Sequence, residues 1–202
     1  MWERMVFGLD LSAKDVNPTG VCFLSGKFAR TKVLKSDNEI LEEIQVSNPN
    51  IIAIDAPLTL NNRICDVLLK KYGAMPLKLK SIMQLATRAV RLVNELETLI
   101  LQDTKIIEVF PTATAKILSV YHRDDGIKQQ KIAEVLNIEF NCKVSKDELD
   151  AFLCALTGWL FSANLTIDVG NEQGKITIPN VAKVDEIIRM VQNLKIEVGK
   201  LK

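Results

Sequence analysis

A single helical segment constrains this fold more than any other feature of the sequence. Residues 151–163 carry no charged side chain, and a helix that is apolar all round is buried all round. The segment before it has a capping box, because Ser145 suits the N-cap and Glu148 lies three residues on. Asp147 suits the positive end of the helix dipole. Asp150 lies in the helix body, where none of these reasons applies, so we infer that the buried end of the helix requires negative charge.

Length and composition indicate one globular domain with an appendage. The chain has 202 residues, of which 48% are apolar and 25% charged, and its formal net charge is +1. This neutral balance gives no whole-protein argument for binding nucleic acid or a membrane surface, so any such claim depends on a local patch. The longest uncharged apolar run is the 13 residues from Ala151 to Ala163, which is too short to span a bilayer. We expect no signal peptide and no membrane association.

The cysteines are scattered along the chain, at Cys22, Cys65, Cys142 and Cys154, and there is one histidine, His122. This pattern argues against a structural zinc site and against a Cys/His protease dyad. It predicts reduced cysteines in a cytoplasmic protein. Any metal would have to be held by carboxylates, which favours Mg²⁺ or Mn²⁺.

Three continuous apolar runs predict strands that are buried on both faces. They cover residues 6–12, 51–58 and 105–111. Two further strands, 21–24 and 28–34, are separated by a hairpin signal, and helical segments alternate with the later strands. This order predicts an α/β protein with a mixed five-stranded sheet flanked by helices. In such sheets the ligand site lies at the carboxyl ends of the strands, which is where the sequence has Asp10 and Asp55.

The last part of the chain predicts a hairpin followed by a helix. Strands near 166–169 and 175–178 surround a turn, and the helix begins at about Val181. Its apolar residues alternate steps of three and four, and they are Val184, Ile187, Val191, Leu194, Val198 and Leu201. This seam either packs on the parent domain or forms a homodimer. The predicted units are a core, residues 1–165, with a helical insertion at 61–101, and a C-terminal hairpin and amphipathic helix, residues 166–202.

Four carboxylates that are distant in sequence could converge at one site. Asp10 and Asp55 end buried strands, and Asp147 and Asp150 project from one face of a helix. If all four meet, each pair at ~5 Å repels by roughly 3 kcal/mol at an effective dielectric near 20. Six such pairs approach or exceed the stability of a typical domain, ~5–15 kcal/mol. Such a cluster must either take up protons or bind cations, and at neutral pH one or two divalent ions bridging the carboxylates would relieve the repulsion at the lower cost. In the alternative interpretation the acids are separate, and they cap turns or complement the helix dipole.

The motifs around these acids resemble a known family, called domain of unknown function 429. In chain order they are Gly-Leu-Asp10-Leu-Ser with Pro18-Thr19-Gly20, Ile54-Asp55-Ala-Pro-Leu58, Arg63-Ile-Cys-Asp66, Glu108-Val-Phe-Pro111 and Asp147-Glu-Leu-Asp150-Ala. The match spans Met5 to about Pro179. That family is predicted to be nuclease-like with a ribonuclease-H-like fold. The arrangement of acids also resembles the broader layout of Holliday-junction resolvases and ribonuclease H, in which such acids ligate catalytic Mg²⁺.

The resemblance implies a role for each matching acid, with Mg²⁺ or Mn²⁺ as the cofactor. Asp10 would bridge the metal ions, and Asp55 and Asp150 would complete the ligand set. Asp147 would be an outer or alternate ligand. Glu108 matches the family motif, and it either joins the catalytic acids or pairs with an arginine.

Residues 63–91 form a basic segment, with seven cations against one anion. Because this segment follows the second acidic strand, it could lie over the site and contact phosphates. We predict substrate contacts for Arg63 and Arg88, which match family positions, and for Lys14 in the loop after the first strand. In the alternative interpretation the segment is a solvated helical face whose arginines form ion pairs.

These features lead to one main hypothesis and two alternatives. The main hypothesis is a divalent-metal-dependent nuclease that hydrolyses the phosphodiester backbone of DNA or RNA with a preference for substrate structure. The first alternative is a phosphotransferase of the related actin-like superfamily, because Gly-Leu-Asp-Leu-Ser followed by Thr-Gly could form a phosphate loop. The second is a non-catalytic module on the same fold that binds nucleic acid or protein.

Overall fold

The structure is a computed structural model that describes residues 5–99 and 103–201. All structural statements below refer to these residues. The predicted core (1–165), its insertion (61–101) and the predicted appendage (166–202) each extend slightly beyond the described ranges.

Within those ranges the chain forms nine β-strands and seven α-helices. The strands are β1 (Val6–Asp10), β2 (Thr19–Ser25), β3 (Phe28–Leu34), β4 (Ile51–Ile54), β5 (Lys105–Glu108), β6 (Glu139–Phe140), β7 (Thr166–Asn171), β8 (Gly174–Pro179) and β9 (Glu197–Lys200). The helices are α1 (Asp37–Ser47), α2 (Ile64–Leu68), α3 (Lys80–Leu99), α4 (Pro111–Ile117), α5 (Asp125–Leu136), α6 (Lys146–Ser162) and α7 (Val184–Leu194). Apart from β6 and β9, every strand overlaps one predicted from the sequence.

Seven of these strands form the central sheet, in the order β5-β4-β1-β2-β3-β9-β6. Strand β2 runs antiparallel to β1 and β3, and all the other neighbours are parallel. The predicted mixed α/β sheet is therefore confirmed, and its five predicted strands are consecutive as β3-β2-β1-β4-β5. Strands β9 and β6 extend the sheet beyond these five at the edge of β3.

The C-terminal helix is shorter than its apolar seam predicted. Helix α7 ends at Leu194, and Lys195 adopts a left-handed backbone conformation with φ of 50°. Val198 and Leu201 are therefore not helical, because the chain turns back and β9 pairs with β3. An unpaired strand edge attracts backbone groups, and Gly199 weakens a helix at this position. The free edge of β3 and the glycine both favour a strand here. The regular spacing of apolar residues from Val184 to Leu201 gave no sign of either.

The part of the seam that is helical packs inside the chain. Ile187 and Val191 are fully buried and belong to the same apolar cluster as α6. The structure thus shows packing on the parent domain, and it does not show a homodimer through α7. Strands β7 and β8 form a separate two-stranded sheet, whereas β9 joins the central sheet. The domain boundary at residue 165 stays a prediction.

Helices cover both faces of the central sheet. On β1, Phe7 and Leu9 belong to one buried cluster with Ile40 of α1 and Leu92 of α3. Val6, which alternates with them, belongs to the cluster on the opposite face, together with α6. Every residue from 151 to 158 is buried, so the uncharged helix predicted from the sequence is the central element of that face.

Two glycines allow α6 to lie directly on the sheet. A Cβ atom at Gly8 in β1 would overlap the carbonyl oxygen of Ala151, and one at Gly20 in β2 would overlap that of Asp147. Protein interiors have no room for such overlap. The backbones of β1 and β2 therefore touch the backbone of α6, and this contact fixes where the acids of α6 lie relative to the strand ends.

Two further findings bear on the predicted location. None of the described helices combines the length and the apolar character that crossing a membrane requires. All four cysteines are free thiols, and Cys22, Cys65 and Cys154 are buried.

Candidate active site

Two acidic side chains lie at the carboxyl ends of neighbouring parallel strands. Asp10 is the last residue of β1, and Asp55 directly follows β4. Leu9 and Ile54 are paired in the sheet, and the amide of Asp55 donates a hydrogen bond to the carbonyl of Leu9 at 2.8 Å. Both acidic residues are partly buried. Strand pairing therefore brings together the two acids that the sequence predicted at this edge.

Helix α6 brings two more acids to the same edge. Asp10 pairs across the sheet with Gly20, and Gly20 lies against the backbone of Asp147. Asp150 follows one helical turn later and is 7% exposed. The N-terminal turns of α6 thus stand beside the end of β1.

The pKa of Asp10 is raised by burial and by the charges of its acidic neighbours. Burial raises this pKa to about 7, and the negative charges of Asp150 and Asp147 contribute to the rise. Lys146 and Lys128 act in the opposite direction. Both burial and nearby negative charge disfavour an ionised carboxylate, so Asp10 takes up a proton more readily than an ordinary aspartate.

The pKa of Asp55 is perturbed in the same direction. Burial raises it well above its usual range, and the charges of Asp10, Asp150 and Glu108 raise it further. Neighbouring acids therefore make the ionisation of Asp10 and of Asp55 less favourable. Such an edge has to take up protons or bind cations.

Among the described residues, no side chain forms a hydrogen bond or a contact ion pair with the carboxylates of Asp10, Asp55 or Asp147. Their oxygens are also not sealed from solvent, since no fully buried side-chain oxygen of the described residues lacks a partner. Buried carboxylates are normally paired. These three side chains are therefore open to a cation that arrives from solvent.

Asp150 differs from the other three acids because two lysines neutralise it. The ammonium of Lys128 contacts Oδ1, and the ammonium of Lys146 lies 3.9 Å from Oδ2. The side chain of Lys128 is 6% exposed and that of Lys146 is 65% exposed. Sequence reasoning missed both lysines. Helical spacing could have revealed Lys128, because it lies four and eight residues before the buried Ile132 and Leu136.

The donor chemistry of the site fits Mg²⁺ or Mn²⁺, since its open side chains offer only carboxylate oxygens. Within residues 5–99 and 103–201, however, no group of three or more His, Cys, Asp or Glu side chains is arranged to hold a metal ion. Asp10 and Asp55 are open, whereas Asp150 is engaged by Lys128. The ligand set of four carboxylates, with Asp147 as the fourth, stays a prediction.

Glu108 is part of a buried ion-pair network. Nη1 of Arg63 donates to both carboxylate oxygens of Glu108 at 2.6 Å, and the amide of Leu58 donates to it at 3.0 Å. Arg63 also donates to Asp66, which in turn accepts from the amide of Leu77 at 3.2 Å. Burial raises the pKa of Glu108 to about 7, while Arg63 opposes the rise. Of the two roles predicted for Glu108, the structure shows the ion pair with arginine.

Arg88 is also buried, and it holds the loop between β1 and β2. Its guanidinium donates to the carbonyl of Ser12 at 2.7 Å, to that of Lys14 at 3.1 Å and to Asp37 at 2.6 Å. The side chains of Arg63 and Arg88 are 3% and 4% exposed. Both guanidinium groups are engaged by acidic side chains of the protein itself, and their predicted contacts with substrate stay a prediction. Lys14, the third predicted substrate contact, is exposed.

The fold that carries this site is ribonuclease-H-like. A structure of T. thermophilus RuvC in complex with a Holliday junction substrate is similar, with a TM-score of 0.50 and 14% identity, covering 85% of this chain and 98% of that chain. A second structure, Thermus thermophilus RuvC, has a TM-score of 0.46 and 13% identity, covering 78% of this chain and 94% of that chain. At these identities the similarity shows the fold alone. No family model and no curated protein matches the chain, so the resemblance to domain of unknown function 429 rests on its motifs.

Proposed function

We propose that this chain is a divalent-metal-dependent nuclease that hydrolyses phosphodiester bonds of nucleic acid. The observation that carries the proposal is the open pair of carboxylates, Asp10 and Asp55, beside the first turns of α6. In α/β sheets, ligands bind at this carboxyl-terminal edge. The ribonuclease-H-like fold supports the proposal, and the Holliday junction bound to the similar RuvC structure supports a branched nucleic acid as the substrate class.

In this proposal the chain supplies oxygen ligands from two elements. Asp10 and Asp55 would hold Mg²⁺ or Mn²⁺ from the sheet, and Asp147 and Asp150 would act from α6. When bound, the ion supplies a Lewis acid for a phosphoryl oxygen. Glu108 keeps a positioning role, because it binds the amide of Leu58 and so orders the segment that follows Asp55.

Exposed lysines around this edge would contact the phosphates. Lys14 lies on the loop between β1 and β2, which Arg88 holds in place. The basic segment predicted from the sequence exposes four lysines between β4 and β5, namely Lys70, Lys71, Lys78 and Lys80. Contacts of this kind give an affinity that falls as the salt concentration rises.

A non-catalytic nucleic-acid-binding module on the same fold is the second candidate. It is favoured by the two lysines that neutralise Asp150. It is also favoured by the finding that, in the part of the chain described, no three potential ligands are arranged for a metal ion. Such a module would bind nucleic acid in a salt-dependent way and would leave it intact.

We extend the proposal to a cytoplasmic location, because the four cysteines are free thiols. A homodimer through α7 would have to use the outer face of the helix, since Ile187 and Val191 are buried. Light scattering coupled to size-exclusion chromatography tests the dimer, and a monomeric mass would exclude it.

Cleavage of a substrate panel tests the proposed function. The panel contains a four-way junction, a forked duplex, an RNA–DNA hybrid and a linear duplex, each with Mn²⁺, with Mg²⁺ and with EDTA. We expect metal-dependent cleavage that falls roughly 100-fold or more in Asp10→Asn and in Asp55→Asn. Binding measured in EDTA should be as tight as wild type or tighter, because both changes remove negative charge.

The matched control is Glu172→Gln, an acid-to-amide change at an exposed residue on the turn between β7 and β8. This variant should cleave as wild type does. If wild-type protein binds the panel and cleaves no member with either metal, the nuclease proposal is wrong and the non-catalytic module takes its place.

A further inference from the structure

Lys128 places a buried positive charge inside a site that is otherwise defined by acids. Its ammonium contacts Oδ1 of Asp150, and its side chain is 6% exposed. The same charge also lowers the pKa of Asp10 against the effect of burial. Lys128 therefore acts on both sides of the site, on the acid of α6 and on the acid that ends β1.

Helix α5 holds Lys128 in this position. Ile132 and Leu136, one and two turns further along the helix, are fully buried. The helix begins at an N-cap, Asp124, whose side chain accepts a hydrogen bond from the amide of Ile127 at 3.0 Å. Because the backbone on both sides of Lys128 is fixed, its ammonium can leave Asp150 only by changing side-chain rotamers in a packed interior.

The charges at this edge decide how many divalent ions it can balance. If the four predicted ligands are all ionised once a cation has displaced their protons, they contribute four negative charges, and two ammonium groups contribute two positive charges, which leaves two negative charges. The carboxylates are Asp10, Asp55, Asp147 and Asp150, and the ammonium groups belong to Lys128 and Lys146. One divalent cation neutralises this total, whereas a second one would leave an uncompensated positive charge of two in a partly buried site.

We propose that Lys128 takes the place of one divalent ion, so that the site binds a single Mg²⁺ or Mn²⁺ between Asp10 and Asp55. This inference rests on the proposed metal-dependent function, and it adds the number of ions and the residue that sets it. Lys128 is a positioning residue in this arrangement, because it acts on the bound ion through Asp150. If the Lys128–Asp150 pair only stabilised the fold, its removal would not change the binding of metal.

The experiment counts Mn²⁺ on the full chain without nucleic acid, by calorimetric titration and by the paramagnetic resonance signal of free Mn²⁺. Wild type should bind one ion per chain. Lys128→Met keeps an unbranched side chain and removes the charge, so Asp150 keeps only the more distant ammonium of Lys146. This variant should bind a second ion or bind the first at least about tenfold more tightly, which corresponds to about 1.4 kcal/mol. Lys128→Arg keeps the charge and should bind one ion.

The matched control is Lys131→Met, on the same helix. Lys131 is not among the described partners of Asp150, so this variant should bind Mn²⁺ as wild type does. A second readout is the rise in Tm on addition of Mn²⁺, measured for each variant against its own metal-free sample. The rise should be larger for Lys128→Met than for wild type. If Lys128→Met does not fold, Lys128→Gln provides the same comparison, because it is also uncharged.

Two results overturn the inference, namely two ions bound to wild type, or a Lys128→Met variant that binds Mn²⁺ with the wild-type number and affinity. The nuclease proposal fails separately. One ion bound to wild type without cleavage of any substrate would remove the nuclease and leave the role of Lys128 intact. Wild type that binds no Mn²⁺ at all would remove both.

Discussion

Replacing Asp10 by asparagine should stabilise the metal-free protein, although the proposed activity depends on this acid. The pKa of Asp10 is raised from its ordinary value of 3.8 to about 7. Between these two pH values the folded protein keeps a proton on Asp10 that the unfolded chain releases. The contribution of Asp10 to stability therefore falls as the pH rises through this window, and it is least favourable above pH 7.

The size of the effect follows from the shift in pKa. The pKa rises from 3.8 to about 7, and a change of one in pKa corresponds to about 1.4 kcal/mol, which sets a ceiling of about 4 kcal/mol. Solvent reaches the carboxylate and screens its charge, so we expect a gain of about 2 kcal/mol for Asp10→Asn above pH 7. For a chain of this length, that gain raises the Tm by roughly 4–8 °C.

Urea denaturation and thermal melting in EDTA, across the pH range from 4 to 8, measure this gain. The difference between Asp10→Asn and wild type should grow as the pH rises and become constant above pH 7, while Glu172→Gln shows no such growth. Excess Mn²⁺ should reduce the difference, because it stabilises wild type more. A lower Tm for Asp10→Asn at pH 8, or a difference that is independent of pH, would refute the conclusion that burial and neighbouring negative charge disfavour the ionised form of Asp10.

Three other changes have defined outcomes. Arg63→Ala leaves the buried Glu108 without its partner, so urea denaturation should show a loss of about 3–5 kcal/mol, and a loss below about 1 kcal/mol would contradict the buried network. Gly20→Ala forces a methyl group into the backbone of α6; we expect a loss of about 3 kcal/mol or more in the same assay, and wild-type stability would show that α6 can move away. Lys14→Ala should change stability by less than about 0.5 kcal/mol and reduce the salt dependence of nucleic-acid affinity by about one phosphate contact in anisotropy titrations. An unchanged salt dependence would remove Lys14 from the interface.

The features that the sequence predicted correctly depend on short stretches of chain. The capping box of α6 forms as expected, because Ser145 and Glu148 are three residues apart and need no other part of the fold. The strands that carry Asp10 and Asp55 are continuous apolar runs, and such runs identify a strand that is buried on both faces. The edge at which these two acids meet follows from the parallel pairing of β1 and β4.

The features that the sequence did not reveal depend on partners that are far away along the chain. Lys128 and Asp150 are 22 residues apart, Arg63 and Glu108 are 45 apart, and the pair formed by Arg88 with its partner on α1 spans 51. A basic segment looks the same in sequence whether its arginines face solvent or the interior. The strand after α7 is a similar case, because its partner β3 lies near the other end of the chain. The helical period of a segment does not show whether a strand elsewhere in the fold has a free edge with which that segment could pair.

The glycine contacts between the sheet and α6 set the distance from the end of β1 to the first turns of α6 through the main chain. Main chain meets main chain at Gly8 and Gly20, so the spacing between strand and helix at these two positions does not depend on the size of an intervening side chain. Any side chain at Gly8 or Gly20 would push the two backbones apart, so both positions require glycine.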